Sequence, residues 1–173
     1  MNGLFSRNVA ALTPSATLAV SKEAARLRRE GVNVVDLGAG EPDFPTPKLV
    51  AEAGIQAIQR GETKYTSCEG LMELRAAIAR RLSLMSGGRP VNADNIVVSN
   101  GCKQSIFNAC LCLFGANDRV LIPSPAWTSY PQIVHLARAM PVAVPGDADW
   151  RLKVSVADLD RWFDDTVKGL ILN

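Results

Sequence analysis

From residue 90 onward the sequence switches repeatedly between two periods, and this alternation restricts the fold more than any other feature. The runs "NIVVSN", "RVLIPSP", "PVAV" and "GLIL" are short, apolar and rich in β-branched residues, as strands are. Between them lie the helix-length segments "KQSIFNACLCLF", "SYPQIVHLARAM" and "SVADLDRWFDD". In the first segment Ile106, Phe107, Ala109, Cys110, Leu113 and Phe114 form a broad apolar face, and Gly115 is read as its stop. In the last, Ser155 is read as an N-cap with Asp158 three residues on, a carboxylate variant of the capping box. A parallel partner strand can be reached only through a crossover long enough to hold a helix. The expected class is therefore α/β, a mostly parallel sheet with crossover helices.

The first half reads as mostly helical. "SATLAVSKEAARLRREG" carries Leu18, Ala24, Ala25 and Leu27 and stops at Gly31. "TPKLVAEAGIQAIQRG" is expected to use Thr46 as N-cap and Pro47 as first helical residue, and to end at Gly61. "GLMELRAAIARRLSLMSGG" places Leu71, Leu74, Ile78 and Leu82 at three- and four-residue spacing. Between the first two helices, "VNVVDLGAGEPDFPTP" reads as a strand running into a turn-rich loop. No internal repeat, low-complexity tract or linker interrupts the pattern.

A length of 173 residues fits about one domain with a real core. The formal net charge of +2 argues for neither nucleic acid nor an acidic membrane as partner. No apolar run reaches the roughly 18 residues of a spanning helix. Residues 1–20 read as mature structure rather than a signal peptide, because Thr13-Pro14-Ser15 breaks the apolar stretches. The four cysteines, at 68, 102, 110 and 112, form no CxxC pair and accompany one histidine, which argues against a metal site. Cys110 and Cys112, two apart on a helix, should point to different faces, and all four read as reduced thiols of a cytoplasmic protein.

Two loops and one aromatic residue carry the chemistry. In "GAGEPDFPTP" two glycines follow an apolar strand, but Asp43 stands where a GxGxxG dinucleotide motif needs its third glycine. The loop is either a ligand loop or a tight irregular turn. In "SNGCKQ" a strand ends, Gly101 permits a tight turn and a helix begins. Backbone N–H groups at a helix N-terminus bind anions, and a first-turn lysine adds charge. Gly101, Cys102 and Lys103 thus form a candidate phosphate cradle, or else a plain turn with a solvated lysine. Trp127 follows "VLIPSP", where strand carboxyl ends carry ligands in open parallel sheets, and its indole can cover a planar ring or serve the core. His135 has no sequence-near acid or nucleophile and reads as structural.

The stretches "PSATLAV", "AGEPDFPTP", "TKYTSCEGLMELRAAIA", "SNGCKQSIFNACL" and "DRVLIPSPAWTSYP" run in one order over nearly the whole chain. Together they resemble class I aminotransferases of the fold-type-I, pyridoxal-phosphate-dependent family, in the aspartate/prephenate branch. The resemblance implies an incomplete large domain preceded by a helical N-terminal segment. Residues 1–45 would be that segment with its substrate loop, and 46–173 a partial cofactor-binding domain. It implies pyridoxal 5′-phosphate as cofactor, with Gly101, Cys102 and Lys103 around its phosphate and Trp127 stacked on its ring. Gly40 matches the glycine whose backbone lies beside the substrate carboxylate. Tyr65 matches a tyrosine that reaches the phosphate of the neighbouring subunit, which implies a homodimer. Relatives usually carry Gly, Ala or Ser where Cys102 stands, and its N–H serves equally. Several relatives carry a lysine at the place of Thr13 that meets an extra substrate carboxylate, a charge threonine lacks. The implied reaction moves an amino group between an amino acid, aspartate-like or other, and a 2-oxo acid.

In the family the strand matching "GLILN" leads into an Asn-Pro-Thr-Gly turn. The aspartate on the pyridine nitrogen, the lysine of the Schiff base and the arginine on the α-carboxylate all follow that turn. No catalytic residue is therefore expected among these 173, and Lys103, Lys153 and Lys168 sit on the wrong elements for the anchor. The expectation is an N-terminal part of an aminotransferase that is inactive alone. The alternative is a non-catalytic pseudoenzyme or partner-binding protein on the same scaffold. The resemblance further places "RVLIP" beside "PVAV", "IVVS" at a sheet edge, and "GLIL" between two strands that lie outside the chain.

Overall fold

A computed structural model describes residues 5–38 and 40–173. The chain divides into two compact units, residues 1–40 with 106–173, and residues 41–105. Met1–Leu4, the start of the segment read above as mature, and Ala39 of the "GAGEPDFPTP" loop lie outside the described residues.

The first unit is built on a three-stranded parallel sheet. Its strands are β1 (Arg119–Ser124), β2 (Met140–Pro145) and β3 (Val167–Leu170), in the order β2-β1-β3. β1 and β2 pair from Arg119↔Met140 to Ser124↔Pro145, as the sequence predicts. The placement of "GLIL" needs correction, because β3 lies directly against β1. The reason is burial. Val120, Leu121 and Ile122 are at most 3% exposed, and a strand so enclosed must pair both rows of backbone groups. β3 covers the row that β2 leaves open.

Helices cover both faces of this sheet. α5 (Cys102–Leu113) and α6 (Ser129–Leu136) supply Cys110, Ile133 and Val134 to a cluster with Val120 and Ile122 on one face. On the other face Leu121, Val142 and Val144 meet Leu159 of α7 (Val156–Trp162). The alternation of Val120, Leu121 and Ile122 between these clusters is the two-residue period of a strand. α6 carries the chain from β1 out to β2 and α7 carries it back past β1 to β3. Right-handed crossovers in opposite directions place their helices on opposite faces. Beside the pairing Val120↔Gly169 the register slips by one residue, and Phe114 packs over Gly169, where a Cβ would lie 2.4 Å from its ring.

The N-terminal part of this unit holds α1 (Arg7–Ala10) and α2 (Ala16–Arg29). Asn8 donates to the Leu136 carbonyl, which ties α1 to α6. Ser15 caps α2 by accepting from the N–H of Leu18. The stop at Gly31 holds: φ is +83°, Gly31 N–H reaches the Arg28 carbonyl, and Val32 N–H reaches that of Leu27. The expected strand over 32–37 does not form. Val35 and Leu37 are exposed, and the segment is held by Arg28, which donates to the Val34 carbonyl.

The second unit holds α3 (Lys48–Gln59), α4 (Met72–Met85) and a 3-10 turn at Ala93–Asn95. Gly61 ends α3 at φ +77°, with Glu62 N–H on the Ala57 carbonyl. At its start the capping residue is Pro47 rather than Thr46. Pro47 is extended, and its carbonyl takes the first helical bonds, from Val50 and Ala51. In α4 the predicted stripe is not the buried one. Leu71, Leu74 and Leu82 are exposed and Ile78 half-buried, whereas Arg75 and Ala79 are buried. The expected strand "IVVS" is extended backbone without a ladder, its Val98 N–H bonded to the Glu69 carbonyl of a loop. Gly115 does not take the left-handed conformation expected of a stop. The turn after α5 is closed by the Asp118 carboxylate on the Gly115 N–H, and Asn117 takes the positive φ.

The capping box of α7 forms as predicted: Asp158 N–H donates to Ser155 Oγ at 3.1 Å, and Ser155 N–H to the Asp158 carboxylate at 3.0 Å. The Ser155 hydroxyl and amide hold the Asp158 carboxyl below its ordinary range. A depressed carboxyl pKa stabilises the fold above the ordinary value and loses that contribution as acid protonates the group. Ser155→Ala should cost about 1 kcal/mol. It should also return the Asp158 carboxyl resonance, followed by NMR, towards ordinary titration; an unmoved midpoint would contradict the capping box.

The outer edges of β2 and β3 have no partner among the described residues, and Leu49, Ile58, Leu84 and Met85 stand exposed on α3 and α4. Open edges and apolar faces pair with other chains. A polypeptide of residues 1–173 made by itself is therefore expected to self-associate or stay expanded in sedimentation and NMR. A sharp melt with dispersed amide signals from a monomer would overturn this.

Candidate functional site

Gly101, Cys102 and Lys103 come together as one turn at the start of α5, in the second unit. Gly101 sits at φ +83°, a conformation that favours glycine, and a Cβ there would meet nothing within 4 Å. Conformation, not crowding, therefore asks for glycine. The turn is held by its own backbone. Gly101 N–H donates to the Ser99 carbonyl at 2.8 Å, and Ser105 N–H to the Gly101 carbonyl at 3.3 Å. That last bond opens the helical ladder, so the amides of 102–104 precede it and point out of the helix end. Cys102 and Lys103 are exposed.

Gln104 was not singled out by sequence reasoning, yet its Oε1 accepts the Asn100 N–H at 2.5 Å and closes the turn from the side. A glutamine in the first turn of a helix after Ser-Asn-Gly was the available signal. Cys110, six residues on, is buried, and burial pushes its thiol up; Cys112 is exposed, as their spacing predicts.

Trp127 and Gly40 belong to the first unit. Trp127 follows the carboxyl end of β1 and is 36% exposed, so it is not a core tryptophan. Tyr130 meets it edge-to-face, ring centroids 5.3 Å apart and planes at 86°, and donates its N–H to the Trp127 carbonyl. The positioning role of Tyr130 was legible only as a second aromatic residue three places on. Gly40 is exposed, with open space where a Cβ would stand. Tyr65, in the second unit ahead of α4, is fully exposed.

Thr13 is fixed on both sides of its residue. Its N–H donates to Gln132 Oε1, and Gln132 Nε2 donates to its hydroxyl at 2.8 Å. These two residues, with Ser15, Thr128 and Ser129, line a cleft of about 470 Å³ next to the Trp127 segment. Its lining carries no formal charge.

The turn, in the second unit, and the half-exposed indole, in the first, differ in the chemistry they present. One offers backbone amides and a lysine for an anion, the other a fixed ring beside a strand end.

Known proteins resemble this chain in sequence and in structure. Residues 32–173 match the family model described as aminotransferase class I and II. A bifunctional aspartate aminotransferase and glutamate/aspartate-prephenate aminotransferase of Petunia hybrida is 48% identical over 141 residues, covering 82% of this chain and 29% of that protein. The aspartate/prephenate aminotransferase of Nitrosomonas europaea is 40% identical, covering 98% of this chain and 42% of its own length. Among solved structures, an aspartate aminotransferase from Thermus thermophilus with maleate superposes with a TM-score of 0.93 at 38% identity, covering 99% of this chain and 44% of that one. The chain thus spans less than half the length of these relatives. With the α/β fold and a family match across most of its residues, the chain belongs to the class I and II aminotransferases, with the partial fold-type-I architecture that the resemblance implies.

Proposed function

We propose that these residues form the phosphate- and ring-binding part of a pyridoxal-phosphate-dependent aminotransferase. Its reaction moves an amino group between an amino acid, aspartate-like or other, and a 2-oxo acid. The observation that carries this reading is the Gly101–Lys103 turn, where a positive φ, a helix N-terminus and a lysine coincide. When bound, the cofactor supplies an electron-withdrawing ring that stabilises charge developing at the substrate Cα.

This chain's own residues then bind and orient. The first-turn amides and the Lys103 ammonium take the phosphate. Trp127, steadied by Tyr130, lies on the ring and keeps water from that face. Gly40, lacking a side chain, leaves its backbone open to the substrate carboxylate. Tyr65, exposed on its loop, is suited to reach a partner subunit's phosphate in a homodimer. Thr13 and Gln132 offer hydrogen bonds rather than charge to the distal end of a substrate. The resemblance assigns the lysine that moves the proton at Cα to none of the six lysines of this segment. Lys103 serves the phosphate, Lys153 stands over the Trp150 ring at 5.9 Å, and Lys168 donates to the Asp165 carbonyl. The residues 1–173 are thus a cofactor-holding segment without the covalent anchor.

Lys103→Glu in the full native polypeptide puts a carboxylate beside the phosphate. It is expected to weaken pyridoxal phosphate binding about tenfold or more, read by absorbance titration. Unchanged affinity would sink the assignment of the cradle.

A polypeptide of residues 1–173 alone is expected to show no transamination, and borohydride should fix no cofactor to a unique lysine in it. Stoichiometric labelling of one lysine together with turnover would show that the anchor lies within these residues.

A further inference from the structure

Arg75 is 8% exposed, and it is the buried charged side chain among the described residues. Burying a guanidinium is unfavourable unless its donors are used. Its Nε donates to the Ile96 carbonyl at 3.0 Å and to the Ala93 carbonyl at 3.1 Å. Its Nη2 reaches Asp94 at 3.4 Å, but the Asp94 side chain is 89% exposed, so that ion pair adds little. Arg75 therefore spends its burial on the backbone of residues 93–96.

That backbone leads straight into the cradle. Residues 96–99 form no ladder among the described residues, so nothing of the usual strand kind sets their height. Three contacts from the start of α4 substitute for it. Arg75 holds the Ile96 carbonyl, the Glu69 carbonyl accepts the Val98 N–H at 2.8 Å, and Gly70 lies against the Val98 side chain. A Cβ on Gly70 would come within 2.7 Å of Val98, and Gly70 also sits at φ +102°. Beyond Val98 the chain continues through the Ser99 carbonyl, which accepts the Gly101 N–H, into the turn that starts α5.

We propose that Arg75 and Gly70 are positioning residues for the anion cradle: they fix residues 96–99, and through them the amides of the Gly101–Lys103 turn. This rests on the reading of that turn as the phosphate site. Neither residue touches the ligand. A group held through a chain of contacts loses binding when its support shifts by about an ångström. The predicted strand "IVVS" has thereby a clamp in place of a sheet neighbour within its own unit.

The test uses the full native polypeptide, with pyridoxal phosphate and inorganic phosphate as separate probes. Amide hydrogen exchange over residues 96–105 is followed beside both affinities. Arg75→Gln and Gly70→Ala are each expected to weaken both ligands about tenfold, the effect of losing one charge-assisted hydrogen bond or straining its neighbour. Each should speed exchange at 98–103 while leaving α3 unchanged, a localisation that a general loss of stability would not give. Arg75→Lys, which restores a cationic donor, should recover part of both effects, and Asp94→Asn should stay within about twofold of the native protein. If one variant fails to fold, the other decides. A folded variant with native exchange and affinity, alongside a weakened Lys103→Glu, overturns the positioning role. An inert Lys103→Glu would instead overturn the cradle on which it rests.

Discussion

The central strand β1 is paired along both edges and covered on both faces, and the first unit is arranged around that enclosure. Val120 and Ile122 require α5 and α6 on one side, and Leu121 requires α7 on the other. Both edges need parallel partners, and parallel partners need crossovers. Fully burying each of these side chains is worth about 1.5–3 kcal/mol, and it is realised only once both helical layers are in place. The carboxyl end of the same strand delivers Trp127 to the surface, so the most buried strand leads directly to an exposed indole.

The second unit follows a different logic. Its helices leave much of their apolar surface exposed, and its ordered centre is polar: a buried guanidinium binding backbone carbonyls. A sheet neighbour would satisfy those groups through a ladder. Here Arg75 satisfies the carbonyls of Ala93 and Ile96, the Glu69 carbonyl takes the Val98 N–H, and Gly70 packs against the Val98 side chain. The Gly101–Lys103 turn follows this arrangement in the chain, with Gln104 closing it from the side.

Helix ends were legible because their signals are local. Gly31 and Gly61 lie at positive φ and close the same pair of C-terminal bonds, which only a few residues allow. The Ser155–Asp158 box was legible for the same reason. The glycine turn before α5, the exposed indole after β1 and the family could be read because each rests on short stretches of adjacent residues. Strand status was less legible. "VNVV" and "IVVS" have strand composition, yet a strand exists only as a pair, and neither run has its partner here. The stripe Leu71, Leu74, Ile78 and Leu82 specifies a face that seeks burial without specifying what covers it.

The sequence by itself determined the alternating α/β order of the first unit, the helix stops at Gly31 and Gly61, the glycine turn before α5 and the aromatic residue at a strand end, because each follows from φ/ψ preferences or periods within a few residues. Only the tertiary structure decided that β3 lies against β1, that Pro47 rather than Thr46 caps α3, that Tyr130 packs on Trp127 and Gln132 bonds Thr13, and that Arg75 holds the backbone at Ala93 and Ile96. The strand pairing, the Thr13–Gln132 bonds and the Arg75 contacts depend on groups brought together from distant positions. Thr13 and Gln132 are 119 residues apart, and the Arg75 partner Ile96 lies 21 residues away. No local preference encodes such a meeting; the burial of β1 and of Arg75 brings it about.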